Sequence, residues 1–199
     1  MNTLIVLASS SPVRINLLRN AGIKFNSIPP YLDEISIKKS MLSEGASALE
    51  IADSLAEAKA RKISKKREDA FVIGCDQVLE FKGELLSKPI NQADAQTCLM
   101  KMSGNWHKLF SAIVVFENQK PVWRHIEESR LLMHKISREY LINYIQRNWE
   151  HIKHSVGSYC IEEEGIRLFS KLEGDYFSIL GLPLLHLLSY MSLRGVISR

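Results

Sequence analysis

Close to its N-terminus the chain places hydroxyl groups and one cation directly after an apolar run. Residues 4–8 are apolar and are followed by SSSPVR, in which Ser9, Ser11 and Arg14 carry polar groups. Serine before proline is typical of a helix start, where unpaired N–H groups and the positive end of the helix dipole face outward. Such a start can bind phosphate, and a guanidinium adds further donors. An ordinary helix cap beside a surface arginine explains the same residues.

A single carboxylate follows a second apolar run. Asp76 comes shortly after residues 71–73, with Gly74 and Cys75 between them. Ligands of α/β folds bind at strand ends, and a carboxylate there can act as a general base or a metal ligand. A structural aspartate in a turn gives the same pattern. The segment therefore predicts either a catalytic carboxylate or a turn.

Lys59 interrupts the apolar face of a predicted helix. The apolar spacing includes positions 52, 55, 56 and 63, and position 59 falls on the same face. This lysine either extends its amine to water or is aimed inward. Lys88 lies between Ser87 and Pro89 and is a second candidate cation. No aromatic residues alternate with the basic run 59–67, so a solvated helix face is favoured over a nucleic-acid surface.

Cysteine and histidine spacing argues against a zinc site or a disulfide framework. The three cysteines are Cys75, Cys98 and Cys160, and no CxxC occurs. Cys75 could be a nucleophile, but a small core residue is the simpler interpretation because no Cys/His signature accompanies it. His151 and His154 lack a HExxH context. This cysteine usage fits a reducing cytoplasm.

Composition indicates one globular domain. The chain has 199 residues, 46% hydrophobic and 24% charged, with a net charge of +4. This mild positive charge suits an anionic substrate without identifying one. The N-terminal apolar run is too short for a secretory signal, and no run approaches the roughly 20 apolar residues of a membrane span. We expect a soluble cytoplasmic protein with no membrane contact.

Helices and strands alternate along the chain, which predicts an α/β fold with antiparallel elements. The predicted strands cover residues 3–8, 24–29, 71–73, 77–86 with a turn at Lys82-Gly83, and a hairpin of 108–117 and 121–133. The predicted helices run from Ser11-Pro12 to Gly22, from a Ser47/Glu50 capping box through 63, over 92–102 and 138–148, and onward from Pro183. Residues 32–34 are assigned to a polar loop, and short strands with glycine turns at 165 and 174 follow Gly157.

The order of these motifs resembles the Maf-like nucleoside triphosphate pyrophosphatase family over nearly the whole chain. The motifs are SSSPVR at 9–14, Asp33-Glu34, Ala58-Lys59-Ala60, VIGCDQV at 72–78, Ser87-Lys88-Pro89, Ser103-Gly104 and GLPL at 181–184. The resemblance implies an elongated mixed sheet flanked by helices, with two lobes and a central cleft. Residues 1–199 would then form a single bilobed domain.

The resemblance also implies an activity and a set of roles. The reaction is hydrolysis of a non-standard or modified nucleoside triphosphate to the monophosphate and pyrophosphate, with Mg²⁺ or Mn²⁺ as cofactor. The implied catalytic residues are Asp76, which activates water, and Lys59 and Lys88; the substrate-binding residues are Ser9, Ser11, Arg14 and Gln77; the metal ligands are Glu34 and Asp76. Stable nucleic-acid binding is not expected, and a homodimer is left open.

Some positions depart from the family pattern. Val13 and Ile15 flank Arg14 where many members read SPRR, and Ser87 replaces a glycine. Gln77 and the missing cations favour the branch that acts on methylated guanosine triphosphate, but Val13 stands where that branch has tryptophan. The alternative function is a nucleotide-binding or protein-binding regulator of cell division with weak or lost catalysis.

Overall fold

The computed structural model describes residues 3–198, which form a mixed α/β protein. The strands are β1 (Leu4–Ala8), β2 (Asn26–Ser27), β3 (Ala70–Phe81), β4 (Glu84–Leu86), β5 (Trp106–Glu117), β6 (Lys120–Met133) and β7 (Phe169–Glu173). The helices are α1 (Pro12–Asn20), α2 (Glu34–Ser43), α3 (Ala48–Ser64), α4 (Gln92–Met102), α5 (Arg138–Ile152), α6 (Tyr176–Ile179) and α7 (Leu184–Leu193), and Glu164–Leu168 form a 3₁₀ helix. The predicted α/β class with helices around a mixed sheet is confirmed.

The strands form one sheet in the order β2-β1-β3-β5-β6-β7, and β4 pairs with β3. β1 is parallel to both β2 and β3, whereas β4 is antiparallel to β3 and β7 to β6. In the β1–β3 register, Ala8 lies opposite Gly74. The chain therefore leaves β1 at Ser9 beside the part of β3 that carries Asp76.

The chain folds into two compact units, each assembled from separate stretches of sequence. The first contains the residues up to Gln77, Ser111–Glu127 and the residues from Asp175 onward. The second contains Val78–Phe110 and Glu128–Gly174. The predicted single bilobed domain with a central cleft stays a prediction.

The first unit buries both faces of β1 and β3, as central parallel strands require. Alternate residues of β1, β3 and β5 enter one core cluster together with α1 and α7; its members include Ile5, Leu7, Leu18, Ile73, Ile113 and Leu187. On β3, a Cβ added at Gly74 would lie 2.2 Å from the carbonyl oxygen of Ala56 in α3. Only glycine therefore allows α3 to approach the strand this closely.

Helix α3 follows the sequence prediction closely. Ser47 and Glu50 form both hydrogen bonds of a capping box at its start. Its buried face includes Leu55, Ala56, Lys59 and Ile63. The prediction that Lys59 lies on the apolar face is confirmed, and its burial shows that it is aimed inward.

Helix α2 is the main element that the sequence prediction lacked. Residues 32–34 were expected to be a loop, but Asp33 is the N-cap of α2 and accepts a hydrogen bond from the backbone N–H of Ser36. None of the residues of α2 is buried. A helix without a buried stripe shows no apolar period, so pattern analysis does not detect it.

Several boundaries also differ from the prediction. β3 continues through Asp76 as one strand, whereas a polar residue at that position suggested an interruption. β2 contains only residues 26–27, α5 extends to Ile152, and a 3₁₀ helix covers 164–168, where a glycine turn at 165 between short strands was predicted. The turns at Lys82-Gly83 and at Asn118-Gln119, which have positive φ values, are confirmed.

The second unit has its own core. α4 packs against α5, and the rings of His107, Tyr159 and Phe169 form an aromatic cluster. The Nε2 atom of His107 lies 2.8 Å from the hydroxyl of Tyr159. No helix within residues 3–198 is long and apolar enough to cross a lipid bilayer.

Candidate active site

Three elements of the first unit bring one lysine and two carboxylates together. The Nζ atom of Lys59, in α3, contacts Oδ1 of Asp76 on β3 and lies 2.8 Å from Oε1 of Glu34, the first residue of α2. The side chains of Lys59 and Asp76 are only 8% and 6% exposed. Three of the residues predicted from sequence therefore meet in one cluster, which we call the Lys59 cluster (Glu34, Lys59 and Asp76).

The carboxylates keep Lys59 charged in this setting. Burial by itself lowers the pKa of the Lys59 amine, and the nearby charge of Arg14 also lowers it. The charges of Asp76 and Glu34 outweigh these effects, so that the pKa is raised above its ordinary value. The cluster thus holds a buried ammonium at neutral pH.

The second oxygen of Asp76 is the chemically distinctive atom. Oδ2 is buried and has no hydrogen-bond partner among the described residues. A buried carboxylate oxygen without a donor is unfavourable by about 1–3 kcal/mol or more, so such atoms call for a specific explanation. A hard divalent cation or a polarised water would satisfy it, because carboxylate oxygens are the ligands that Mg²⁺ and Mn²⁺ prefer.

Arg14 connects the start of α1 to two distant backbone segments. Its Nε donates to the carbonyl oxygen of Gly181 at 2.8 Å, and its Nη1 donates to that of Cys75 at 3.0 Å. These bonds use two of the five guanidinium N–H donors. Gly181 has a φ of 97°, and a Cβ there would lie 3.4 Å from Arg14 Nε. Arg14 therefore anchors the backbone around Asp76, and its predicted role in substrate binding stays a prediction.

The predicted helix cap at Ser11 is confirmed. Its Oγ accepts a hydrogen bond from the backbone N–H of Arg14 at 3.5 Å, and the Oγ of buried Ser9 accepts one from the N–H of Ser11 at 3.2 Å. The carbonyl of Ser9 in turn accepts from the Ser27 hydroxyl at 2.6 Å. In these two contacts each hydroxyl acts as an acceptor, so its O–H can still donate to an anion.

Gln77 has a bonding role that the sequence did not suggest. Its Nε2 donates to the Ser111 hydroxyl and to the carbonyl oxygen of Ile179, both at 2.9 Å. The Ser111 hydroxyl donates to the carbonyl of Ser178 at 2.7 Å. Gln77 thus ties β3 to the segment that contains α6. A serine within the apolar stretch of β5 was the one sequence signal for this network.

Lys88 belongs to the second unit. It follows β4 in a loop, and its side chain is exposed. Its predicted catalytic role stays a prediction. The structure thus brings Glu34, Lys59 and Asp76 together and places Arg14 against the backbone of the residue before Asp76.

Cys75 is a core residue. Its side chain is fully buried, and burial raises the pKa of its thiol although the charges of Arg14 and Lys59 oppose that effect. A raised thiol pKa reduces the thiolate fraction that a nucleophile needs. This environment favours the interpretation of Cys75 as a small core side chain.

Comparison with known proteins indicates the same family as the order of the sequence motifs. The model of the family described as "Maf-like protein" matches residues 4–193. A protein of Ruegeria pomeroyi named nucleoside triphosphate pyrophosphatase is 52% identical over 197 residues, covering 99% of both chains. A protein of Caulobacter vibrioides with the same name is 43% identical over 98% of both chains. A Brucella abortus protein named 7-methyl-GTP pyrophosphatase is 42% identical over 95% of both.

Proposed function

The chain belongs to the Maf-like protein family, and on this premise we propose that it is an enzyme that hydrolyses nucleoside triphosphates to the monophosphate and pyrophosphate. The observation that carries the proposal is the Lys59 cluster, with its unpartnered Oδ2 on Asp76. The relatives named as nucleoside triphosphate pyrophosphatases cover nearly the whole chain. The activity is therefore proposed for the complete described fold.

In the proposed reaction, Oδ2 of Asp76 accepts a proton from a water molecule. The oxygen of that water forms a bond to the α-phosphorus, the bond from the α-phosphorus to the bridging oxygen breaks, and pyrophosphate leaves with the bonding electrons. Lys59 holds the other oxygen of Asp76 and so orients the carboxylate toward the water. Because the pKa of Lys59 is raised, its ammonium also offsets negative charge close to the phosphates.

A divalent cation, Mg²⁺ or Mn²⁺, is the proposed cofactor. Glu34 and Asp76 would hold it, since Mg²⁺ typically takes one or two protein carboxylates together with waters and substrate phosphates. When bound, it would neutralise charge on the phosphate oxygens. The buried Oδ2 of Asp76 supports this assignment because it lacks any other partner among the described residues.

The start of α1 is the proposed triphosphate-binding segment. The hydroxyls of Ser9 and Ser11, the first backbone N–H groups of α1 and the remaining donors of Arg14 supply positive character there. Lys88 is proposed as an additional cation, and Gln77 as a residue that positions β3 and also contacts the nucleotide. Its bonds to Ser111 and Ile179 support the positioning part of that role.

The proposed function also includes a preferred nucleotide base. Relatives with both names align over nearly the full chain; the Ruegeria pomeroyi protein is 52% identical and the Brucella abortus protein 42%. We propose a modified guanosine triphosphate such as 7-methyl-GTP as one substrate, because Gln77 and the missing cations favour that branch, although Val13 stands where that branch has tryptophan. Replacing Val13 with arginine should change the ranking of substrates. An unchanged ranking would show that Val13 does not determine the substrate preference.

The decisive experiment combines a substrate panel with one active-site variant. Purified protein with Mg²⁺ or Mn²⁺ is assayed on standard triphosphates and 7-methyl-GTP in water enriched in heavy oxygen. We expect the label in the monophosphate, because the attack is at the α-phosphorus. Asp76→Asn should reduce kcat about 10²–10⁴-fold. Asp69→Asn, the same change at an exposed position, should keep the wild-type rate.

Three results would contradict this proposal. Label found in pyrophosphate would place the attack at another phosphorus, and an unchanged rate in Asp76→Asn would exclude the proposed base. If no triphosphate is hydrolysed at all, the alternative of a non-catalytic nucleotide-binding regulator of cell division takes its place. The cytoplasmic location stays a prediction, and the homodimer stays open.

A further inference from the structure

We propose that His125, Glu127 and His186 form a binding site for a first-row transition-metal ion of the zinc type. We call these residues the His125 cluster. Among residues 3–198, they are the one group of three or more His, Cys, Asp or Glu side chains whose ligand atoms all lie within 4.8 Å of one another. None of them belongs to the proposed triphosphate site. The inference is therefore independent of the proposed function.

Two elements of the first unit position these ligands. His125 and Glu127 are alternate residues of β6 and so project from the same face of the strand. His186 lies in the first turn of α7. The Nε2 atoms of both histidines face one carboxylate oxygen, Oε2 of Glu127, at 3.0 Å from His125 and 3.6 Å from His186. Three donor groups thus converge on one small volume.

The spacing of the donor atoms suits a tetrahedral ion. Metal–ligand bonds of about 2.0–2.2 Å in tetrahedral geometry place neighbouring donors roughly 3.3 Å apart. The distances of 3.0 and 3.6 Å to Oε2 lie on either side of this value. Binding an ion requires the two imidazole rings to turn out of their face contact, because the lone pair of Nε2 lies in the plane of each ring.

Aromatic rings pack around the two imidazoles. The rings of His125 and His186 are stacked with centroids 3.8 Å apart and an interplanar angle of 21°. Trp123 stacks on His125 at 6.1 Å and on Tyr190 at 4.7 Å. Neutral imidazole is the form of the histidine side chain that binds a metal ion. The neighbouring rings restrict ligand orientation, as outer residues of metal sites commonly do.

The chemistry of the donor set selects the class of ion. Two imidazoles and one carboxylate favour zinc, nickel or copper over Mg²⁺ and Ca²⁺, which prefer oxygen ligands only. Three protein donors leave one tetrahedral position for water or another ligand. An adjoining groove of about 370 Å³, lined by His125, His186, Trp123 and Tyr190 among others, gives access to that position. The His186 side chain is 50% exposed, so an ion can enter from solvent.

The simpler explanation of these residues is an ion-pair cluster that attaches α7 to β6. A zinc-binding measurement distinguishes this explanation from a metal site. The full chain, with excess Mg²⁺ present to occupy the carboxylate site, is dialysed against micromolar ZnCl₂, and bound zinc is measured. We expect one zinc per chain. His125→Gln and His186→Gln should each weaken the affinity at least tenfold, whereas His154→Gln, at an exposed histidine outside the cluster, should not.

Two further measurements keep the test independent of folding and of the catalytic site. Asp76→Asn should bind zinc like the wild type, since Asp76 is not part of the His125 cluster. Ni²⁺ should quench tryptophan fluorescence in the wild type and much less in Trp123→Phe, although that variant still binds zinc. Wild-type zinc binding in the double variant His125→Gln/His186→Gln, or none in the wild type, would overturn the proposal.

Discussion

Helix α3 carries charged groups in two clusters, and they differ mainly in burial. On its inner face, Lys59 contacts Asp76 and Glu34 with its own side chain 8% exposed. On the other side, Asp53 and Glu57 of the same helix pair with Arg124 of β6, whose side chain is 45% exposed. We call this second group the Arg124 cluster (Asp53, Glu57 and Arg124).

The contrast shows what each cluster contributes. Exposed ion pairs typically stabilise a protein by about 0–1 kcal/mol. A buried pair loses hydration, so that well-packed apolar residues at the same positions are often equally or more stable. The Arg124 cluster can therefore be explained as a modest stabilising contact. The Lys59 cluster is hard to explain by stability and is better explained by the reaction proposed for Asp76.

The largest expected effect is that of removing the buried cation. Lys59→Met should leave Asp76 as a buried carboxylate without its partner. We expect the free energy of unfolding to fall by about 3–5 kcal/mol and triphosphate hydrolysis to be lost. Urea denaturation and the hydrolysis assay measure the two effects. If Lys59→Met were as stable as the wild type, burial of Asp76 without its partner would not destabilise the protein, and the contrast between the two clusters would be contradicted.

The next prediction separates stability from function within the same cluster. The double variant Lys59→Met/Asp76→Leu replaces both buried charges with apolar side chains of similar size. Its free energy of unfolding should recover by about 3–5 kcal/mol relative to Lys59→Met, which returns it to about the wild-type value, while hydrolysis stays absent. Recovery of stability without activity would support the view that these charges are kept for catalysis. A double variant less stable than Lys59→Met would contradict it.

Buried His107, in the second unit, should make the stability of the protein depend on pH. Burial lowers the pKa of His107 from 6.5 to about 4. The unfolded chain therefore binds more protons than the folded one between these values, so stability is full above about pH 6.5 and falls as the pH drops toward 4. The free energy of unfolding lost in this way reaches up to ~3 kcal/mol.

The measurement for His107 is the urea midpoint as a function of pH. In His107→Phe this acid-side slope should flatten, although the variant is less stable overall because it leaves the Tyr159 hydroxyl without its partner. His134→Phe, at an exposed histidine, is the matched control and should keep the wild-type slope. An unchanged slope in His107→Phe would assign the acid sensitivity to other groups.

The smallest expected effect belongs to the Arg124 cluster. Arg124→Met should lower the free energy of unfolding by less than ~1 kcal/mol, and the loss should shrink further in high salt. Hydrolysis should stay at the wild-type rate. A loss comparable to that of Lys59→Met would mean that burial is not what distinguishes the two clusters of α3.

The sequence predicted those parts of the fold and site that depend on local pattern. The capping box of α3, the place of Lys59 on the apolar face of that helix and the cap at Ser11 follow from residue spacing within one helix turn or a few. The ordered motifs predicted the family over nearly the whole chain. Helix α2 was not predicted, because it has no buried face and so no apolar period.

The partners of the site residues were decided by the tertiary structure. Arg14 donates to the carbonyl of Gly181, 167 residues away, and Gln77 donates to that of Ile179, 102 residues away. Backbone carbonyls leave no signature in the sequence, so these bonds could not be predicted from residue types. The His125 cluster likewise depends on α7 packing beside β6. Local spacing thus determined the face of a helix on which a side chain lies, and only long-range packing determined which groups it contacts.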